Sequence, residues 1–326
     1  MFALVTGGTG FIGGHLVTAL VAREARVRVL TRSRERGEGL RRLGVEVVHG
    51  DLLQAHDLGR ALAGVEAVFH LAAQIQPSEE GPAAYWRNNV EGTAKLLAAC
   101  RGLPLGTFVH VSSVGVMGSL AELPADEGTR CAPDNVYGRT KYEAEELARH
   151  AFLEGLPVVI ARPAWVYGPG DLRTLRLFTA IRRRRFLLVG SGQTWLHPVY
   201  VEDVVEGLLR CGTHPKAVGE TYCLAGPEPV RLRQLTALIA ELEEAPPPRL
   251  RVPPWPAWVG AAAVEGLFRL LKRRPPLYRR QLEFFLKDQL FSTAKAREEL
   301  GFVPATSLRE GLARTISWYR DHGLLA

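Results

Sequence analysis

A short stretch near the N-terminus constrains the fold more than any other feature. The apolar run Phe2-Ala3-Leu4-Val5 leads into Thr6-Gly7-Gly8-Thr9-Gly10-Phe11-Ile12-Gly13, and a helical pattern through Leu16 and Leu20 follows without a gap. Each glycine has a distinct use there. Gly7 permits a tight turn, Gly10 lets backbone N–H groups approach a pyrophosphate, and Gly13 lets the helix pack closely on the strand. The helix N-terminus, with its unpaired amides, then favours the negative charge. The spacing alone is a weak signal, but after the first strand of a βαβ unit it is a strong one. We therefore expect a dinucleotide site that includes Gly7, Gly10, Phe11, Ile12 and Gly13.

Later segments keep the same rhythm. Short β-branched runs at 27–30, 45–48, 67–70, 108–111 and 158–161 alternate with helical patterns near 89–100 and 137–152. Strands separated by crossover helices form a parallel sheet covered on both faces, so the expected fold class is α/β, a doubly wound Rossmann sheet. Beyond Pro163 the pattern loosens into a strand-like 221–224 and helical stretches at 232–242, 293–300 and 308–319. We expect a dinucleotide-binding domain over 1–165, with later sheet elements from about 199–226. A smaller substrate lobe is expected over 166–198 and 227–326. The prolines at 246–248 and in Pro253-Pro254-Trp255-Pro256 are expected in connections.

Composition narrows the class. With 326 residues, 47% hydrophobic and 23% charged, the chain can bury a sizeable core and does not resemble a disordered or multi-span membrane protein. Its net charge of +7 comes largely from arginine, including Arg182 to Arg185 and Lys272-Arg273-Arg274. Without a nucleic-acid module or aromatic-basic interleaving, this charge reads as a solvated surface, and no nucleic-acid partner is expected. Cys100, Cys131, Cys211 and Cys223 lie far apart with no C-x-x-C pair, so free thiols, no metal site and a reducing cytoplasm are expected. The apolar stretch 257–271 is too short for a membrane span and is interrupted by Glu265. Such a helix more often covers an apolar pocket or an interface; the alternative is peripheral contact with a membrane surface.

The end of the second strand bears on which dinucleotide is bound. Thr31-Arg32-Ser33-Arg34 has no carboxylate for a ribose 2′-OH, and its guanidiniums suit a 2′-phosphate, so NADP is preferred with NAD as the alternative. Chemistry is expected from Tyr137-Gly138-Arg139-Thr140-Lys141, where the i, i+4 spacing puts phenol and ammonium on one helical face. Opposite charges about 4 Å apart at an effective dielectric near 20 interact by roughly 4 kcal/mol, enough to bring a phenol from about 10 toward neutrality. Ser112-Ser113 closes the strand at 108–111, where parallel sheets present ligands, and Ser113 is the expected holder of the substrate oxygen.

Taken in order, these elements resemble the extended short-chain dehydrogenase/reductase family, also called the NAD-dependent epimerase/dehydratase family. The resemblance spans nearly the whole chain. It is carried by Thr6 to Gly13, Gly50-Asp51-Leu52, His70-Leu71-Ala72-Ala73, Asn89-Val90-Glu91-Gly92-Thr93, Ser112-Ser113, Tyr137 to Lys141, Arg162-Pro163, Tyr167-Gly168-Pro169-Gly170 and Tyr200-Val201-Glu202-Asp203. It implies Tyr137 as acid/base and Lys141 as its partner and ribose ligand. Asn89 would support the active site, Asp51 and Leu52 would lie at the adenine, Ala72 and Ala73 would line the cofactor, and Pro163 would meet the nicotinamide. It also implies a homodimer through the helices at 89–100 and 137–152.

Where nucleotide-sugar members carry an asparagine and an arginine, this chain has Trp165 and Leu196, two expected substrate-side positions. Arg176 or Arg182 to Arg185 stand as replacement cations. The apolar segment at 258–271 and the aromatics Phe268, Tyr278, Phe284 and Phe285 resemble members related to 3β-hydroxysteroid dehydrogenases, although such aromatics are more often core than pocket. His197 reads as structural. The leading expectation is an NAD(P)-dependent dehydrogenase or reductase acting on a small-molecule alcohol or ketone. A nucleotide-sugar epimerase or dehydratase is the alternative, and a non-catalytic NADP(H)-binding subunit the third.

Overall fold

The computed structural model describes residues 1–77, 80–270 and 285–325. Its centre is a seven-stranded sheet built from β1 (Phe2–Thr6), β2 (Arg26–Thr31), β3 (Glu46–His49), β4 (Ala67–His70), β5 (Thr107–Val111), β6 (Val158–Pro163) and β11 (Thr221–Leu224). The order is β11-β6-β5-β4-β1-β2-β3, with every pairing parallel. The strand order therefore reverses between β1 and β4, with β2 and β3 added on one side and β4 to β6 on the other, and ligands of doubly wound sheets bind in the crevice at that point.

Alternation along the strands supplies both faces. On β1, Ala3 and Val5 pack with Leu16, Val17 and Leu20 of α1 (Phe11–Ala22) and with α8 (Val201–Thr213). Phe2 and Leu4 face the other way, toward α3 (Ala55–Leu62), α5 (Gly92–Cys100) and α6 (Val136–Leu153). Both faces are covered, as parallel strands require. The third strand begins one residue later than the sequence pattern suggested, at Glu46, because Val45 packs beneath it in the turn.

A separate core joins Tyr167 of β7 (Trp165–Tyr167), Phe178 and Ile181 of α7 (Leu175–Arg182) and Leu196 of β9 (Trp195–Leu196) to later elements. These are α9 (Leu232–Leu242) and the C-terminal helix α12 (Leu308–Asp321), with α11 (Ala294–Leu300) preceding the latter. The small strands β8 (Leu188–Val189) and β13 (Arg251–Val252) pair in parallel and lead into α10 (Pro254–Leu270). Here one expectation is corrected: Pro254 and Pro256 belong to the first turn of α10 rather than to a connection. A helix tolerates proline there, because first-turn amides have no intrahelical acceptor.

Among the described residues no helix is long and apolar enough to cross a membrane, no metal-binding cluster is present, and the four cysteines are free thiols.

Candidate active site

A cleft of about 1290 Å³ opens at the C-terminal ends of the strands. Its floor is the first loop. Gly7 sits at φ +73°, and a Cβ there would lie 2.7 Å from the Ala72 amide nitrogen; a Cβ on Gly13 would lie 2.2 Å from the Gly7 carbonyl oxygen. Only glycine fits either place. The N-terminal residues of α1, Phe11, Ile12 and Gly13, line the cleft together with Gly7 and Gly10. These residues fit a dinucleotide pyrophosphate, since the helix presents unpaired amides to a space closed to side chains.

Sheet order distributes the remaining lining residues. On the β2–β3 side stand Arg32, Ser33, Arg36, Asp51 and Leu52; Ala72 and Ala73 follow β4; Ser113, Tyr137, Lys141, Pro163 and Trp165 lie on the β5–β6 side. Arg32 is largely exposed, with its guanidinium 3.9 Å from the Asp51 carboxylate. Ser33 caps α2 (Arg34–Arg41) by accepting from the Arg36 amide.

The helix that carries the reacting groups starts at a built cap: the Asn135 side chain accepts from the Gly138 amide at 3.0 Å. Tyr137 and Lys141 follow one turn apart, both facing the cleft. Lys141 is buried and donates to the Val111 carbonyl at 2.7 Å. Burial lowers its ammonium to about 8, against the nearby Glu145 carboxylate, which raises it. Ser113 caps the turn after β5 by accepting from the Gly115 amide at 3.1 Å, which leaves its O–H to act as a donor.

Asn89 is buried in a π-helical turn, Trp86–Glu91, a distortion of the kind that collects at functional sites. Its side chain accepts from the Gln74 amide at 2.6 Å and donates to the Thr140 hydroxyl at 2.9 Å. Thr140 donates in turn to the Tyr137 carbonyl. Asn89 thereby ties the loop after β4 to the first turn of α6.

Three features were not anticipated from sequence. Glu145, one turn beyond Lys141, is fully buried against Arg162, with Oε1 2.5 Å from Nη2 and Oε2 3.2 Å from Nε. Burial works to raise this carboxyl, but Arg162 holds it below the ordinary carboxylate range. The i+4 spacing from Lys141 is the signal that could have found it. His70 bridges Thr6 and Thr93 at 2.7 and 2.8 Å, and burial, with Lys141 nearby, lowers its imidazole to about 3. Lys287 pairs with Asp134 at 2.5 Å across the cleft mouth, joining positions 153 residues apart.

Other expectations need correction. Leu196 is fully buried in the second core, because alternation on β9 turns Trp195 outward and Leu196 inward; it does not line the cleft. Neither Arg176 nor Arg182 to Arg185 reaches the cleft, and Arg182 pairs with Glu243 instead. Among the described residues, Arg173, bound to Asp171, and Lys287, bound to Asp134, are basic side chains that do line the cleft. His197 is structural as expected: one ring nitrogen contacts the Gly226 carbonyl and the other accepts from the Phe291 amide. Phe268 is half-buried and Phe285 packs between cores, whereas Tyr278 and Phe284 lie outside the described residues.

Comparison with known proteins agrees with this geometry. The sequence model of the "NAD dependent epimerase/dehydratase family" matches residues 3–225. A "4-hydroxy-2-methyl-3-oxo-4-farnesyl-3,4-dihydroquinoline-1-oxide ketoreductase" of Stigmatella aurantiaca is 32% identical, over 96% of this chain and 95% of that protein. "Sterol demethylase protein B" of Methylococcus capsulatus is 31% identical over the full length of both. A solved structure of a dTDP-glucose 4,6-dehydratase double mutant from Streptomyces venezuelae, with NAD bound, superposes at a TM-score of 0.78. It is 28% identical, over 98% of this chain and 97% of that one.

Proposed function

Given that the chain belongs to the NAD dependent epimerase/dehydratase family and is an oxidoreductase of that type, we propose that it interconverts an apolar ketone and its alcohol with NADP(H). One observation carries the reading. Tyr137 and Lys141 open onto a substrate side lined by Ile75, Trp165, Leu172 and Phe291, while the position expected to hold a phosphate cation is the buried Leu196.

The nicotinamide, when bound, supplies or accepts the hydride. In the reducing direction the Tyr137 hydroxyl gives its proton to the carbonyl oxygen as that oxygen gains charge. The Ser113 hydroxyl donates to the same oxygen and holds it in place. The Lys141 ammonium stabilises the phenolate left behind, and its burial makes that charge act in a low dielectric. Asn89, through Thr140, fixes the backbone from which Tyr137 projects.

Arg32, Ser33 and Arg36 support NADP over NAD, because they surround the end of β2 with donors and cations. Asp51, Leu52, Ala72, Ala73 and Pro163 would complete the cofactor site. We place the boundary between cofactor domain and substrate lobe near 165. We further propose a homodimer through α5 and α6, supported by exposed Trp86 and Leu153, and a cytoplasmic location, supported by the unbridged thiols.

Nucleotide-sugar epimerisation or dehydration is the second reading, favoured by the cationic side chains of Arg173 and Lys287 at the substrate side. A ligand-shift screen of the purified protein decides between them. Stabilisation by NADPH over NADH, and by apolar ketones over UDP- or dTDP-sugars, is expected. Stabilisation by NADH and a nucleotide sugar would overturn the proposal.

A further inference from the structure

Helix α10 keeps an apolar face in solvent. Positions 255, 258, 259, 262, 263 and 266 are exposed, a spacing of three and four that places them on one side of the helix. They are Trp255, Trp258, Val259, Ala262, Ala263 and Gly266, with Trp255 73% and Val259 62% exposed. The opposite side packs through Ala257 and Ala261 on Val189, Phe285 and Leu286. That packing fixes which side faces out.

Charge surrounds this face. The Leu188 amide donates to the Leu250 carbonyl and the Gly190 amide to the Val252 carbonyl, so the 187–190 and 250–252 segments lie side by side where α10 begins. Exposed Leu187 and Leu250 extend the apolar surface, and exposed Arg183, Arg184, Arg185, Arg249 and Arg251 flank it. None of these five arginines has an ion-pair partner among the described residues. Of the neighbouring carboxylates among the described side chains, Glu243 is buried against Arg182 and Arg320 and Glu241 faces Arg309, leaving Glu244 exposed.

We propose that this surface docks on an anionic lipid bilayer, with the tryptophans at the headgroup level and the arginines against the lipid charge. Tryptophan on an apolar stripe, together with unpaired basic side chains, is the chemistry that such an interface selects. A protein partner would need to supply both an apolar groove and a ring of carboxylates; a bilayer supplies both without further design. The surface also adjoins the cleft, since Phe285 and Leu286 under α10 continue into Lys287, Asp288 and Gln289 of its lining. A bilayer-held apolar substrate would thus meet the enzyme beside its active site.

The test is co-sedimentation of the full chain with phosphatidylcholine vesicles with and without phosphatidylglycerol. Binding to the anionic vesicles that weakens with added salt is expected. Arg249→Gln with Arg251→Gln should lower partitioning by about thirtyfold, and Trp255→Ser with Val259→Ser by at least about tenfold. Brominated acyl chains should quench the wild type, and Trp255→Phe with Trp258→Phe should lose most of that quenching while still binding. Cofactor binding by every variant confirms folding. Failure of the wild type to bind, binding indifferent to these variants, or loss of a dimer on Trp255→Ser without vesicle binding would each overturn the proposal. No turnover enters the assay, so its failure leaves the assigned chemistry untouched.

Discussion

Glu145→Gln removes the carboxylate that two arginines share behind the reacting lysine. Oε1 accepts from Arg162 at 2.5 Å and from Arg149 at 2.8 Å, and Arg162 is only 2% exposed. The substitution keeps volume and leaves the Arg162 guanidinium buried with no counter-charge. Breaking a buried pair from one side costs about 3–5 kcal/mol. For 326 residues at about 2.1 cal/mol/K per residue, that corresponds to a fall in Tm of roughly 4–7 °C. Calorimetry and urea unfolding read it directly. Arg162→Met added to Glu145→Gln should restore part of the loss, because removing both charges removes the unpaired one. The substitution also has a kinetic signature. Glu145 raises Lys141, whose ammonium stands at about 8, so the alkaline limb of kcat/KM should move to lower pH without it. A loss below about 1 kcal/mol, with an unmoved alkaline limb, would refute the reasoning about buried charge.

Three further outcomes follow from particular contacts. Gly13→Ala places a Cβ 2.2 Å from the Gly7 carbonyl oxygen, so the loop must shift; NADPH affinity measured by fluorescence titration should fall at least about tenfold. Asn89→Ala leaves the half-buried Gln74 amide and the buried Thr140 hydroxyl short of a partner, costing about 1–3 kcal/mol, and should lower kcat while leaving NADPH affinity nearly unchanged. Stability should fall as pH drops below 6.5, because burial keeps His70 neutral down to about 3 and holds His110 well below the ordinary imidazole range, while both protonate in the unfolded chain. Denaturant titrations from pH 7 to 5 should show a loss approaching about 1.4 kcal/mol per pH unit for each histidine, and a flat profile would contradict it.

The first loop, the parallel strands and the Tyr137–Lys141 pair were legible because local chemistry dictates each of them. A glycine beside a strand, a β-branched run and an i, i+4 spacing carry their meaning within a few residues. Leu196 stands at a substrate-side position by resemblance to nucleotide-sugar members, but a motif position does not say which way a two-residue strand faces, and packing against Tyr167 and Leu232 turns it inward. The prolines opening α10 look like a connection in the sequence, because proline stops helices more often than it starts them. The Lys287–Asp134 pair and the Thr6–His70–Thr93 chain join residues from distant parts of the sequence, so only the assembled sheet brings them together. The π-helical turn at Asn89 has no propensity signature; it follows from the contacts of that side chain with Gln74 and Thr140.

The role given to the Tyr137 phenol is tested most directly by comparing wild type and Tyr137→Phe in stopped-flow oxidation of bound NADPH by a saturating apolar ketone, alongside equilibrium titration of NADPH. Loss of the proton donor should slow the transfer by roughly a hundredfold to ten-thousandfold, with cofactor affinity changed little. Transfer at the wild-type rate in the phenylalanine variant would contradict the account.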